Sequence, residues 1–375
     1  MQKIGIVGAG AMGTGIAQVA AQAGMDVCVY DLVQSSLDRA NQQLQSTMEK
    51  LIEKGKLTSE QAQAILGRIS FSTDLHALAD KEMVIEAIVE DLQIKKSLFI
   101  ALEEVVSQDC VLASNTSSLS ITALAATCRH SSRVIGLHFF NPAPIMPLVE
   151  IIPALQSSTK LSDQLTRLMH EWKKTPVLAK DTPGFIVNRI ARPFYSESLR
   201  ILEEGLASIS QIDAAMRHIG FKMGPFELMD LIGNDVNYNV TKSVFEMLYF
   251  DPRYKPSLTQ LKHVEAGWYG RKTNRGFYNY SATVEQSNHD IRYDFVHERV
   301  LTLLINEAYD ALYHNIANAA DLDLSVTKGV NYPKGLIAWG EEVGLDQVRI
   351  RMQALYDHYQ EDRYRCSPGL RNRLH

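Results

Sequence analysis

The sequence contains few features of secreted, metal-binding or membrane proteins. Four cysteines, Cys28, Cys110, Cys128 and Cys366, form no CxxC pair and have no metal-ligand spacing, so we expect neither a disulfide framework nor a metal site. Apolar runs are interrupted by charge or glycine well short of a membrane span, and the apolar segment at residues 4–7 is too short for a signal peptide. These absences predict a cytoplasmic protein without a membrane partner.

An excess of positive charge is also missing. The chain has 38 lysine and arginine residues against 43 aspartate and glutamate residues, and its net charge of −5 with no basic cluster predicts no nucleic-acid partner. Hydrophobic residues make up 46% of the chain and charged residues 22%, as in ordinary globular proteins. A length of 375 residues is enough for two or three domains, each with its own core.

The N-terminal residues combine two short apolar strands with a glycine-rich turn. A strand is predicted over residues 3–7, followed by the turn with Gly8, Gly10 and Gly13, a helix, and a second strand that ends in Asp31. Gly8 permits the tight turn, Gly10 lets the backbone approach a pyrophosphate, and Gly13 lets helix and strand pack closely. No Lys-Ser/Thr pair follows the glycines, which excludes a P-loop. The pattern predicts a Rossmann-like domain that binds a dinucleotide at the helix N-terminus.

Polar residues follow two later strands of the same half, predicted over residues 83–90 and 110–114. Because the carboxyl ends of parallel strands face the ligand crevice, Glu90, Asn115 and Ser117 are predicted to line it. Ser117 could instead cap a helix that begins near residue 119.

A polar helical segment, residues 32–67, lies between the second strand and these later ones. Its intermittent apolar stripe predicts an amphipathic helical hairpin. Lys50, Lys54 and Lys56 lie along it, either as a solvated face or as the nearest cations for an anionic ligand.

A histidine and a glutamate lie in two adjacent apolar runs near the middle of the chain. His138 follows residues 134–137, Glu150 lies within residues 148–152, and the prolines between them require a loop. Neighbouring strands joined in this way bring an imidazole and a carboxylate within hydrogen-bond distance, as general acid–base chemistry requires. The alternative is a buried histidine whose acid partner only satisfies it.

The second half of the sequence is helical and repeats itself. A Pro-Gly junction at Gly184 marks a domain boundary, and a polar stretch at residues 281–290 is predicted to be a linker. Helices are predicted over residues 185–204, 209–218 and 225–249, and the patterns at residues 187–197 and 222–233 recur at residues 297–307 and 333–344. This predicts domains at residues 1–180, 181–280 and 291–375, the last two being copies. Glu298 takes the place of Asn188 in the second copy, and Asn188 is predicted to point at the crevice.

Five segments together resemble the 3-hydroxyacyl-CoA dehydrogenase family over nearly the whole chain. They are the glycine turn, Ser114-Asn-Thr-Ser-Ser118, Gly136-Leu-His-Phe-Phe-Asn-Pro142, Asp181-Thr-Pro-Gly-Phe-Ile-Val-Asn-Arg189 and Met223-Gly-Pro-Phe-Glu-Leu228. The duplicated tail more narrowly resembles the 3-hydroxyadipyl-CoA dehydrogenases of bacterial phenylacetate breakdown, beside the 3-hydroxybutyryl-CoA dehydrogenases. The resemblance implies an NAD-dependent enzyme that oxidises a (3S)-3-hydroxyacyl-CoA to the 3-oxoacyl-CoA.

The resemblance also implies a role for each residue that matches the family. His138 would take the proton of the substrate 3-hydroxyl, Glu150 would orient it, and Ser117 and Asn188 would hold the substrate oxygens. Lys54 falls near the family's CoA-contacting lysine. The implied cofactor contacts are Gly8, Gly10, Met12, Gly13, Asp31, Glu90, Lys95 and Asn115.

Two other functions are compatible with parts of the sequence. A dehydrogenase of short-chain 2-hydroxyacids shares the glycine turn and a helical second domain, but its catalytic lysine motif is not visible here. A non-catalytic protein that keeps fold and cofactor would not need Ser117, His138, Glu150 and Asn188. NAD is expected rather than NADP, because Asp31 repels a 2′-phosphate and the next residues, Leu32 and Val33, offer no arginine to hold one. The second helical copy is expected to pair with the first as a dimer partner would, which leaves other surfaces for a homodimer of whole chains.

Overall fold

The computed structural model describes residues 1–281 and 293–371, which belong to two units, Met1–Thr182 and Pro183–His375. The linker predicted at residues 281–290 lies, from residue 282 onward, outside the described residues. Within the described part of the chain, no helix is both long enough and apolar enough to span a membrane.

The first unit is built on one mixed sheet. Its strands are β1 (Lys3–Val7), β2 (Asp26–Tyr30), β3 (Ile69–Ser72), β4 (Met83–Glu86), β5 (Val111–Ser114), β6 (Val134–Phe139), β7 (Leu148–Pro153) and β8 (Thr175–Leu178). They lie in the order β3-β2-β1-β4-β5-β6-β7-β8. Strands β1 to β6 are parallel, β7 is antiparallel to β6, and β8 is parallel to β7. Nearly every residue of the central strands is buried, as in sheets covered by helices on both faces.

The helices of the first unit connect these strands. They are α1 (Ala11–Gln22), α2 (Gln34–Glu53), α3 (Ser59–Gly67), α4 (Leu92–Val105), α5 (Ile121–Ala125) and α6 (Thr159–Glu171). Helices α2 and α3 contact each other as the predicted hairpin. The fold of this unit is therefore the predicted Rossmann-like one.

Two details of the first unit differ from the prediction. Strand β3 was not predicted, because its four residues are half polar and only partly buried. The strand predicted over residues 83–90 ends at Glu86, where the side chain accepts a hydrogen bond from the Ile88 amide at 2.7 Å and turns the chain out of the sheet.

The second unit is built from helices, with two isolated β-bridges, Gly270 with Arg275 and Arg275 with Asn279, after its sixth helix. Its helices are α7 (Val187–Ile190), α8 (Arg192–Glu203), α9 (Ile209–His218), α10 (Pro225–Ile232), α11 (Asn234–Met247), α12 (Leu258–Glu265), α13 (Tyr293–Tyr313), α14 (Ala319–Gly329), α15 (Leu336–Val343), α16 (Leu345–Tyr359) and α17 (Pro368–Arg371). The single helix predicted over residues 225–249 is wrong, because Gly233 at φ +103° separates α10 from α11. The helix predicted over residues 185–204 is likewise divided, at Ala191, into α7 and α8.

Candidate active site

His138 and Glu150 are direct neighbours on two antiparallel strands. They are register partners in β6 and β7, so their side chains extend from the same face of the sheet. His138 Nδ1 lies 2.6 Å from Glu150 Oε2, and the two residues are 7% and 1% exposed. With its proton on Nδ1 the imidazole donates to Glu150, and Nε2 is then the basic nitrogen. The Phe140 ring packs against the imidazole, 4.5 Å between centroids.

Glu90 is the centre of a polar cluster at the end of β5. Its Oε1 atom accepts hydrogen bonds from the Thr116 hydroxyl at 2.6 Å and from the Ser117 amide at 2.9 Å, and the Ser117 hydroxyl lies 3.3 Å away. Burial opposes the charge of Glu90, but the nearby Lys95 ammonium and these hydrogen bonds outweigh it and lower the pKa of Glu90. Glu90 is therefore a carboxylate that fixes the turn carrying Ser117.

Lys95 lies beneath this cluster in a buried ion pair. Its Nζ atom is 2.5 Å from Glu86 Oε1 and 3.3 Å from Glu90 Oε2, and Lys95 is only 1% exposed. Glu86 Oε2 also accepts a hydrogen bond from the Ser114 hydroxyl at 2.6 Å. Glu86 was missed by the sequence analysis, although a glutamate at the end of an apolar strand was a signal for a buried partner.

Asn115 and Ser117, the two predicted site residues that follow β5, have different hydrogen-bond partners. Asn115 Oδ1 accepts a hydrogen bond from the Phe139 amide at 2.8 Å, which ties the end of β5 to the residue after His138. The suggestion that Ser117 caps a helix near residue 119 is wrong, because α5 begins later and Ser120 is its N-cap, accepting from the Ala123 amide.

The glycine turn between β1 and α1 fits a dinucleotide. Gly8 has φ +105°, and a Cβ on Gly13 would lie 1.9 Å from the Gly8 carbonyl oxygen, so neither position admits a side chain. A Cβ on Gly10 would meet nothing within 4 Å, and Gly10 caps α1 without a side chain, so the first amides of α1 remain accessible to a phosphate. Asp31 closes the turn by accepting from the Ala9 amide at 2.8 Å.

The remaining predicted site residues, Met12, Lys54 and Asn188, lie outside the clusters around His138 and Glu90. Met12 is partly buried in the first turn of α1. Lys54 follows the last residue of α2 and is exposed, as are Lys50 and Lys56. Asn188 belongs to the second unit, in α7, where its Oδ1 atom accepts from Arg192 Nη2 at 3.4 Å. Among the described residues no group of three or more His, Cys, Asp or Glu side chains is placed to hold a metal ion.

Comparisons with known proteins identify the family of both units. Residues 3–182 match the family "3-hydroxyacyl-CoA dehydrogenase, NAD binding domain", and residues 184–280 and 295–374 match "3-hydroxyacyl-CoA dehydrogenase, C-terminal domain". The chain is similar to the 3-hydroxyadipyl-CoA dehydrogenase of Escherichia coli (strain K12), 36% identical over 100% of this chain and 97% of that protein.

Two further relatives carry different substrate names. A probable 3-hydroxybutyryl-CoA dehydrogenase of Deinococcus radiodurans is 44% identical over 74% of this chain and 100% of its own length. The crystal structure of a 3-hydroxybutyryl-CoA dehydrogenase from Escherichia coli K12 superposes with a TM-score of 0.94, at 36% identity, over 99% of this chain and 98% of that chain.

Proposed function

Because this chain belongs to the 3-hydroxyacyl-CoA dehydrogenase family, we propose that it carries out the family's NAD-dependent oxidation with His138 as general base and Glu150 as its orienting partner. The 2.6 Å contact between His138 Nδ1 and Glu150 Oε2 is the observation on which this assignment depends. His138 takes the proton of the (3S)-3-hydroxyl group through Nε2, and Glu150 stabilises the imidazolium that forms. NAD, when bound, accepts the hydride from C3, which leaves the 3-oxoacyl-CoA.

The burial of His138 and Glu150 strengthens the electrostatic interaction between them. A carboxylate that is 1% exposed interacts with an imidazolium through few water molecules, so the charge that develops on His138 is strongly stabilised. The same contact fixes the tautomer, since Nδ1 has to carry the proton that Glu150 accepts.

The other predicted residues bind substrate and cofactor in this proposal. Ser117 and Asn188 hold the substrate oxygens, and Lys54 contacts the CoA moiety. Asp31 accepts hydrogen bonds from the ribose diol, while Leu32, 82% exposed, offers no cation for a 2′-phosphate. Glu90 and Asn115 support the cofactor from beyond the ends of β4 and β5, and Lys95, in α4, supports it through its ion pairs with Glu86 and Glu90.

The acyl group is proposed to be that of 3-hydroxyadipyl-CoA or 3-hydroxybutyryl-CoA, since similar proteins carry both names. Initial rates of NADH formation with the two thioesters, at matched concentrations, test this. A kcat/KM at least about tenfold higher for one of them identifies the preferred acyl group. No turnover of either would contradict the substrate class proposed.

We also propose that the second unit is an internal duplication whose copies pair with each other. Tyr364 donates to Glu197 at 2.8 Å, and Tyr254, its counterpart in the first copy, donates to Glu307 at 2.5 Å. Glu197 and Glu307 are themselves counterparts, separated along the chain by the same number of residues as the tyrosines. Each copy therefore donates a tyrosine hydroxyl to a buried glutamate of the other, as two molecules related by a twofold axis do.

Equivalent local contacts support the duplication. Asp213 accepts hydrogen bonds from the Phe226 and Glu227 amides, and Asp323 accepts them from the amides of Ile337 and Ala338, so the same cap precedes α10 and α15. In this proposal the second copy packs against the first and takes no part in the reaction. Surfaces outside the internal pair remain for a homodimer of whole chains.

A further inference from the structure

We propose that Lys174 is a positioning residue of the reaction, because its buried ammonium group holds the loop that connects His138 to Glu150. The proposal rests on the roles proposed above for that pair. Lys174 lies immediately before β8, the strand that pairs with β7 on the side away from β6. It is on a different part of the chain from the two residues that it would position.

The loop between β6 and β7, residues 140–147, has few internal hydrogen bonds. The amides of Ile145 and Met146 both donate to the Pro142 carbonyl, which forms a single turn. Lys174 Nζ supplies the main external contacts, donating to the carbonyl oxygens of Ala143 at 2.5 Å and Met146 at 2.9 Å. The Thr175 amide adds a third bond, to the Pro147 carbonyl at 2.8 Å. Residues 174 and 175 thus fix both the middle and the end of the loop.

The opposite side of the loop packs against α1. Ala143 is 1% exposed, and a Cβ on Gly15 would lie 3.2 Å from both the Ala143 side chain and Pro144. Gly15 therefore lets the loop approach the helix that begins at the glycine turn. The loop is therefore held between α1 on one side and the Lys174 ammonium on the other.

The ammonium group of Lys174 is costly to bury. Lys174 is 7% exposed. Within residues 1–281 and 293–371, its ammonium group donates to two carbonyl oxygens and forms no ion pair with a carboxylate. Burial lowers the pKa of Lys174 to about 8. An apolar side chain would fill this space without that cost, but it would leave the Ala143 and Met146 carbonyls without their donor.

Lys174 shares its surroundings with one carboxylate, that of Glu171, but burial alone, and no neighbouring charge, shifts the pKa of Lys174. It lines a cavity of about 550 Å³ together with Arg68, Glu171 and Lys173. Helix α1 contributes Val19 and Gln22 to this cavity, both of them uncharged, and the loop contributes Pro144. The two carbonyl oxygens are therefore the groups that hold the ammonium.

The position of the loop affects His138 through Phe140 and through the register of the strands. Phe140 is the first loop residue, and its ring contacts the imidazole. A loop that shifts lets His138 and Glu150 leave their 2.6 Å contact, and small displacements of a catalytic group reduce the rate strongly. We therefore expect loss of Lys174 to lower kcat, while cofactor affinity changes little.

The test compares Lys174→Met with Lys173→Met in the full chain. Both substitutions replace a lysine with an uncharged side chain of similar length, but Lys173 is exposed. We expect kcat of Lys174→Met to fall about tenfold or more, with the dissociation constant of NADH, measured by fluorescence titration, within about twofold of wild type. Lys173→Met should match wild type, and Lys174→Arg, which can donate to both carbonyls, should recover most of the rate.

The pH profile separates this role from simple packing. An ammonium forms stronger hydrogen bonds to carbonyls than a neutral amine. The ratio of wild-type kcat to Lys174→Met kcat should therefore be largest below about pH 8 and fall as the pH rises through it. Dividing by the variant removes the pH dependence of the reaction itself.

If Lys174→Met does not fold, Lys174→Gln replaces it, because the amide keeps two N–H donors without the charge. Its kcat should lie below that of Lys174→Arg but above about one tenth of the kcat of the Lys173→Met control. A folded variant with wild-type kcat, a ratio independent of pH, or equal loss of kcat and NADH affinity would overturn the proposal. Normal Lys174 variants beside an inactive His138→Gln would overturn this inference alone, whereas an active His138→Gln would overturn the proposed function.

Discussion

Glu298 forms an ion pair with Arg351, with Glu298 Oε1 2.7 Å from Arg351 Nη2. In the internal duplication proposed above, Glu298 is the counterpart of Asn188, whose Oδ1 atom accepts a hydrogen bond from Arg192 instead. On that proposal, a neutral hydrogen-bonding amide in the first copy is replaced in the second by a carboxylate whose charge an arginine matches. This favours a structural role for Glu298 and none in the reaction.

Glu298→Ala is expected to leave kcat and KM nearly unchanged. The ion pair is partly exposed, so its loss should cost at most about 1 kcal/mol of the free energy of unfolding. Asn188→Ala is the matched variant in the first copy, and its kcat/KM should fall about tenfold or more because a substrate-oxygen contact is lost. Steady-state kinetics of the two variants check this, and equal effects on both would contradict the assigned difference between the copies.

Tyr364→Phe is expected to destabilise the protein by about 1–3 kcal/mol, because Glu197 loses a buried hydrogen bond. Urea denaturation measures this, with Tyr249→Phe as the control, since Tyr249 is 93% exposed. A stability equal to that of the control would argue against the reciprocal contacts.

Deletion of residues 291–375 should destabilise the protein more than Tyr364→Phe does. It exposes Phe194 and Phe221, which stack at 4.8 Å and pack against Tyr332 of the second copy. Size-exclusion chromatography should show aggregation or a new dimer. A stable, active monomer would refute the proposal that the second copy replaces a dimer partner.

NAD should be preferred to NADP by about a hundredfold or more in kcat/KM, because Asp31 repels a 2′-phosphate. Asp31 itself is a poor site for a test, because its carboxylate also accepts hydrogen bonds from the Ala9 and Val33 amides and closes the glycine turn. Leu32→Arg is cleaner, because Leu32 is 82% exposed. This variant should gain activity with NADP and retain activity with NAD, whereas comparable use of both cofactors by wild type would contradict the ribose assignment.

The stability of the protein should depend on pH through Lys174. Its pKa is about 8 in the folded chain and 10.5 in the absence of burial, so between these values the unfolded chain binds more protons. The free energy of unfolding of wild type should therefore rise with pH across this window relative to Lys174→Met, which has no such group. Urea denaturation of both proteins at about pH 7 and about pH 10 measures the difference. A difference that is the same at both pH values would show that burial does not lower the pKa of Lys174.

The sequence predicted those parts of the site that depend on local pattern. The glycine turn and the pairing of His138 with Glu150 follow from residue spacing along one short stretch of chain. The ion pair of Lys95 with Glu86 and the contact of Lys174 with the 140–147 loop do not, because each joins segments whose proximity depends on sheet order. The break at Gly233 was missed because a single residue, a glycine with φ +103°, separates α10 from α11.

Glu150→Gln should reduce kcat less than loss of His138 itself. The amide keeps a hydrogen bond to Nδ1 but no longer neutralises the imidazolium, which is buried beside it. Steady-state kinetics measure the decrease, which should be substantial. A variant with wild-type kcat would show that the carboxylate only fills space.

The most direct measurement is kcat of His138→Gln, with NADH binding measured on the same sample. Glutamine retains a donor for Glu150 but cannot act as a general base, and removal of a general base typically costs about a hundredfold or more. The account predicts that loss in kcat with an unchanged NADH dissociation constant. Near-normal turnover of His138→Gln would contradict it.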